Sequence, residues 1–247
     1  MSVLVTRRIR NVLSRVLGVI ALVVTLTVLE TNVASAITAE GLTEASRARV
    51  FFGHQSVGAN VLSGVPGVYA SQGLDAPPIV SGTPGNVDGG FIAEKSIGTN
   101  GNPVSKIADF DRIMRGGMGA KVDVALMKFC YIDVTANTDV SSLFASYRDN
   151  MAALQKDFPN ITFVHTTVPL TTDSSADNAA REKLNGLIRG SYSGRVFDLA
   201  AAESTRPDGT KVSGLYSGYA SDPGHLNAAG SAVAASAFLE AIARASR

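Results

Sequence analysis

Ser56 lies where the chain's residue types first suggest chemistry. Around it the sequence reads Arg49-Val50-Phe51-Phe52-Gly53-His54-Gln55-Ser56-Val57-Gly58-Ala59-Asn60, an apolar run that ends at a glycine and resumes in small residues. The pattern predicts a buried strand breaking into a tight turn, with a helix beyond it. A turn at the carboxyl end of a strand is where open parallel sheets bind ligands, and it would lift the Ser56 hydroxyl clear of the sheet. The same serine could simply cap the helix that follows. Near the other end stand Asp222-Pro223-Gly224-His225-Leu226-Asn227. A carboxylate three residues ahead of a histidine in a Pro-Gly turn can reach back to Nδ1, leaving Nε2 free to take a proton from a serine. Asp-Pro-Gly alone is a common turn. Together with Ser56, the pair completes a nucleophile, an orienting acid and a base, each between regular elements.

Four other residues are candidates. His54 stands two before Ser56 and could contact a substrate or support the turn. Lys128 ends an apolar run and could aim a cation at the site or pair with Asp133. Cys130, the single cysteine, could be a thiolate served by His225 or a small buried apolar group. His165 lies within a strand-like run and reads as a core histidine. No His, Cys or Asp grouping has metal-ligand spacing, so neither a metal nor a cofactor is expected.

The elements that must position these residues alternate. A short helix or arm is expected over 39–48, a strand over 50–52, and a helix over 57–62 broken by Gly64 and Pro66. Residues 71–104, rich in Gly, Pro, Asn and Ser, read as a long functional loop. A helix capped by Ser105 carries Ile107, Phe110, Ile113 and Met114 on one face and stops at Gly116-Gly117. Strands follow at 122–129, 161–167 and 196–199. The helix begun at Ser141 or Ser142 bears a stripe of Leu143, Phe144, Tyr147, Met151 and Leu154. Helices over 177–188 and from near Asn227 complete the set. Alternating strands and helices predict an α/β sandwich on a parallel sheet, as one domain over 37–247.

Residues 1–36 read as an export signal. Arg7, Arg8, Arg10 and Arg15 form a positive head, Val16 to Leu29 carries no charge, and Ala34-Ser35-Ala36 is a small-x-small cleavage site. A secreted or periplasmic location follows, with no stable membrane anchor after cleavage. Without that segment the formal charge moves from +1 to −2, since four Arg and one Glu leave with it. A near-neutral chain without a basic block has no electrostatic footprint for nucleic acid. One cysteine allows no internal disulfide, so stability must come from an ordinary core.

With these residues in view, the chain resembles the SGNH (GDSL-type) hydrolases. Ser56 after the first strand and Asp222-x-x-His225-Leu226-x-x-x-Gly230 before the last helix carry the likeness, with Asn178-x-x-Arg181-x-x-Leu184-Asn185 and Val196-Phe197-Asp198-Leu199 between them. The resemblance implies a three-layer α/β/α, flavodoxin-like fold. It also implies a secreted serine esterase acting on small acyl esters, with acetyl groups on carbohydrate among them. Ser56 would be the nucleophile, His225 the base and Asp222 its orienting acid. Two departures stand out. Gly53-His54-Gln55-Ser56 replaces the family's Gly-Asp-Ser, and Ile132 of Cys130-Tyr131-Ile132-Asp133 stands where its oxyanion-binding Asn belongs. The block that supplies a glycine amide best matches Ser96-Ile97-Gly98-Thr99-Asn100-Gly101, which makes Gly98 and Asn100 the expected oxyanion donors beside the Ser56 amide. The departures admit a second reading, a glycan- or envelope-binding module that has lost catalysis. An α/β-hydrolase elbow would need glycine where His54 stands, and a Cys130 enzyme is the remaining variant.

Overall fold

The computed structural model describes residues 37–173 and 175–247, so the expected export signal lies outside the described residues. The described chain runs α1 (Ala39–Arg47), β1 (Arg49–His54), α2 (Val57–Ala70), β2 (Ile79–Ser81), β3 (Phe91–Ser96), α3 (Pro103–Arg115), β4 (Val124–Met127) and α4 (Val140–Asp157). It continues through β5 (Thr162–Thr166), α5 (Ser175–Ser191), β6 (Val196–Phe197) and α6 (Leu199–Ser204). A small hairpin of β7 (Ala220–Asp222) and β8 (His225–Leu226) then leads into α7 (Ala228–Ala245). Six strands form one parallel sheet in the order β2-β3-β1-β4-β5-β6.

Side chains alternate across this sheet, as strand geometry requires. Val50 and Phe52 of β1, with Val124 and Leu126 of β4, face a core built with α1, α2, α6 and α7. Phe51, Ala125 and Met127 face the opposite core, closed by α3, α4 and α5. The result is a three-layer α/β/α sandwich of the flavodoxin-like type. From β1 the chain crosses to the edge strand β2 and comes back to place β3 between β2 and β1, then lays β4, β5 and β6 outward on the other side. The carboxyl end of β1 therefore lies at the point where strand order reverses, and a crevice opens at such a point.

Three sequence expectations are corrected. The helix after Ser56 does not break at Gly64 or Pro66 but runs on to Ala70. Gly64 is where α2 meets α7, because a Cβ there would stand 2.3 Å from the Ser231 carbonyl oxygen. Residues 71–104 are not one loop, since they hold β2 and β3, and β3 pairs with β1 along its whole length. Its buried run is only Phe91-Ile92-Ala93 before Glu94 and Lys95, too short for periodicity to reveal. The strand near 196 ends at Phe197, because Asp198 caps α6 by accepting from the Ala201 amide. Caps also move two other starts. Asn102 rather than Ser105 caps α3, and Asp139 opens α4 ahead of Ser141.

Candidate active site

β1 delivers Ser56 to the rim. Register pairs His54 with Ser96 of β3 on one side and Gly53 with Met127 of β4 on the other, so the Ser56 turn emerges between the loops that follow those strands. Ser56 has φ 53° and ψ −111°, the only positive φ outside glycine among the described residues. A non-glycine residue held there is strained, by about 1–3 kcal/mol, and persists only where its surroundings dictate it. Gln55 supplies part of that constraint: its Nε2 donates to the carbonyl oxygens of Ile97 (2.7 Å) and Gly98 (2.8 Å). Although Ser56 holds the N-cap position of α2, its side chain makes no capping bond. The hydroxyl turns instead to Nε2 of His225, at 2.5 Å.

His225 arrives from the opposite end of the chain on β8. Asp222 accepts from the backbone amides of Gly224 and His225, both at 2.9 Å, and its Oδ2 lies 2.8 Å from His225 Nδ1. The Gly224 amide and then the imidazole hold the Asp222 carboxyl below the usual carboxylate range. An ionised carboxylate only accepts, so Nδ1 carries the proton and Nε2 offers its lone pair to the Ser56 hydroxyl. Tyr131 backs the arrangement, its ring edge-on to the imidazole with centroids 5.8 Å apart. A Cβ on Gly224 would come within 2.4 Å of that tyrosine ring, so the hairpin turn needs glycine there. Beside the imidazole opens a cavity of about 490 Å³, lined by Tyr131, Ile132, Thr171, Arg181, Asp222 and His225 among others.

No family model matches the chain, and no curated protein matches it. Solved structures do. A chain from Streptococcus pneumonia, provisionally assigned as a platelet activating factor, superposes with a TM-score of 0.53 at 12% identity, over 81% of this chain and 89% of that one. A provisional G-D-S-L family lipolytic protein from Desulfitobacterium hafniense DCB-2 aligns over 78% of this chain and 99% of its own, at 13% identity and a TM-score of 0.43. The likeness to the first of these is one of fold alone.

Other expected site residues fall elsewhere. His54 is buried at 5% exposure, its ring 4.7 Å from that of Phe52 and pressed against Gly58. Burial, with Lys128 nearby, lowers its pKa to about 4, so it is a neutral packing group rather than a substrate contact. Its Nε2 lies 3.4 Å from a Glu94 oxygen, but a neutral imidazole makes no ion pair there and no hydrogen bond forms. The Gly98 amide does not face the site, because it donates to Asp109 Oδ2 at 3.0 Å. Gly98 has φ 55°, and a Cβ on it would meet the Lys106 backbone at 2.6 Å, so packing against α3 requires the glycine. Asn100 is exposed, with its Oδ1 accepting from Lys106 Nζ at 2.8 Å.

Lys128 does not pair with Asp133. Its ammonium donates to the Phe129 carbonyl at 3.0 Å and lies 3.4 Å from Cys130 Sγ, while Asp133 binds Lys106 at 2.6 Å. Cys130 is buried beneath the turn, its thiol 3.7 Å from the Gln55 carbonyl. His165 is buried as well, 2.8 Å from the Tyr147 hydroxyl and stacked on Tyr192. Sequence reasoning assigned no role to Gln55, Lys106, Asp109 or Tyr131. Lys106 had left a signal, since it falls on the same helical face as Ile107, Phe110 and Met114, where a cation needs a partner.

Proposed function

We propose that this protein is a serine hydrolase of the SGNH type, cleaving small acyl esters outside the cytoplasm. One observation carries the reading: the Ser56 hydroxyl donates to an imidazole whose other nitrogen is held by an ionised carboxylate. In the proposed mechanism Ser56 Oγ attacks the acyl carbonyl carbon as its proton passes to Nε2. The carbonyl oxygen becomes an oxyanion facing the Ser56 amide, which has no protein acceptor among the described residues. The imidazolium, steadied by Asp222, returns the proton to the departing alcohol and leaves an acyl-serine. Water, deprotonated by the same nitrogen, releases the acid and restores Ser56. The adjoining cavity is of a size for a short acyl chain or one sugar ring. The charged head and apolar stretch before Ile37 support export, and esters on carbohydrate are the proposed substrates.

The test is hydrolysis by purified protein of 4-nitrophenyl acetate and a panel of acetylated glycans. Wild type should turn over at least one of them, and Ser56→Ala should fall to background. Equal rates in the two proteins, or none in either, would end the reading. A second reading, a binding module without turnover, draws on the Gly98 amide being occupied and on Ile132 in place of an amide side chain. Under it, Ser56 resists a fluorophosphonate probe while glycan binding survives Ser56→Ala.

A further inference from the structure

The cavity beside His225 does not end at the catalytic residues. Asp173, in the loop after β5, lines it and also lines a second cavity of about 540 Å³. The two adjoin at a fixed seam, because the Thr172 amide donates to the Pro223 carbonyl of the hairpin that carries Asp222 and His225, at 2.9 Å. The walls of the second cavity come from that loop, from the start of α5 and from the segment between α6 and β7. Packing fixes its floor. Asn178 accepts from the Thr171 amide at 3.0 Å and donates to the Thr171 carbonyl at 2.7 Å. A Cβ on Gly214 would stand 2.4 Å from that same carbonyl oxygen, so the floor closes only over glycine.

The groups in these walls are polar and largely unengaged. The Arg206 guanidinium lies 5.6 Å over the Tyr216 ring and donates no hydrogen bond to another described residue. Tyr216 is itself held in place. Its ring stands edge-on to Tyr219 with centroids 5.0 Å apart, and its amide donates to the Glu203 carbonyl at 2.9 Å. A guanidinium laid on a ring is pre-organised and keeps its in-plane hydrogens for a ligand. Asp173 accepts from no other described residue, and the Ser213 and Ser217 hydroxyls have no partner among the described residues either. Glu182, the other charge in the walls, is bound to Arg189 at 2.8 Å. This set selects a ligand class. An acyl chain would bury these groups against hydrocarbon without partners. An anion would suit Arg206 but meet Asp173, and a cation would suit Asp173 but meet Arg206. Neutral hydroxyls answer both, because a hydroxyl donates to a carboxylate as readily as it accepts from a guanidinium.

We infer that this second cavity binds the sugar next to the acylated one, so that the substrate is an acylated oligo- or polysaccharide rather than a free sugar ester. By volume it takes about one further ring, as the first cavity does. Arg206 and Asp173 contact that ring, and Tyr216 is a positioning residue that orients Arg206. This rests on the esterase reading above and names its substrate class.

The experiment compares kcat/KM on O-acetylated monosaccharides with that on the matching tetrasaccharides, in the xylose, mannose and N-acetylglucosamine series, with 4-nitrophenyl acetate as the reference ester. Wild type should prefer the tetrasaccharide of at least one series by about tenfold or more, the scale of one hydrogen bond to a charged group. In Arg206→Ala and in Tyr216→Ala that preference should fall by about tenfold, mainly through KM. A change that only perturbs the fold lowers all the esters together and leaves the preference intact. Binding gives a measurement free of turnover. By calorimetry, Ser56→Ala should hold the preferred tetrasaccharide about tenfold more tightly than Ser56→Ala/Arg206→Ala does. Hydrolysis of 4-nitrophenyl acetate with no tetrasaccharide preference, or a preference that survives both variants, would overturn the inference while leaving the esterase standing. So would turnover of 4-nitrophenyl octanoate that exceeds that of the acetate and falls in Arg206→Ala, since it would give the cavity to an acyl chain. Absence of Ser56-dependent turnover of every ester would remove the esterase reading, and with it the substrate class named here.

Discussion

A methyl group added at Gly58 would stand 2.4 Å from Cγ of the His54 ring and 2.5 Å from its Nδ1. The ring cannot retreat, because Phe52 packs against its other side and the position is buried. Gly58→Ala should cost about 1–3 kcal/mol through overpacking. It should also lower turnover beyond that loss, because position 58 is two residues from the strained serine. Thermal melts beside kcat on the same preparation separate the two effects, and an unchanged melting temperature would refute the packing argument. Asp222 gives a sharper prediction. Asn at this position keeps an oxygen for the Gly224 and His225 amides but can offer Nδ1 a donor where it now meets an acceptor. The imidazole would then favour the tautomer with its proton on Nε2, and kcat should fall by about 10³–10⁴ with little change in KM. A loss under tenfold would mean that Asp222 does not set the tautomer.

At the scale of elements, α2 shows how a helix survives two residues that normally end one. Pro66 is exposed and lacks the hydrogen that would bind the carbonyl one turn back, while Gly64 lies in the crossing with α7. Pro66→Ala should therefore raise stability, by up to about 3 kcal/mol if the helix is otherwise unchanged. Gly64→Ala should lower it, since its Cβ meets backbone rather than a yielding side chain. Melting temperatures moving in opposite directions would bear this out, and a fall for Pro66→Ala would show that the proline is needed. The same helix marks the limit of what could be read beforehand. Gly and Pro are breakers in isolation, and only the partner helix, far off in sequence, reveals why glycine is tolerated. β3 was hidden for a related reason: three apolar residues form a strand only because β1 already offers an edge to pair with. β4, α4 and α7 were legible because long apolar runs and stripes declare themselves locally. Ser56, Asp222 and His225 were legible by residue type and order. The roles of Gly98 and Asn100 were not, because which group an amide faces depends on Asp109 and Lys106 on a neighbouring helix.

Across the whole molecule, buried titratable groups set how stability responds to pH. Glu203 on α6 is fully enclosed and accepts from the Leu170 amide in the loop after β5. Burial raises its pKa to about 8, against the pull of that amide and of Lys128 and Arg181. Between its ordinary value near 4.5 and about 8, the folded protein holds a proton that the unfolded chain has released. Stability from this group is complete below the lower value, declines as pH rises through the window and is gone above the upper one. The buried histidines act in the opposite sense. With pKa values lowered to about 4 for His54 and about 3 for His165, they add stability as pH climbs to their ordinary 6.5 and contribute no further change above it. Lys128, also lowered by burial, adds stability as pH rises toward 10.5 and so opposes Glu203 at alkaline pH. A difference measurement isolates the carboxyl. Glu203→Gln keeps an oxygen for the Leu170 amide but cannot ionise. Its melting temperature relative to wild type should therefore rise between about pH 4.5 and about pH 8 and level off above that. A difference that stays flat across that range would mean the carboxyl does not titrate there. The loop after β5 would then owe its hold on α6 to hydrogen bonding alone.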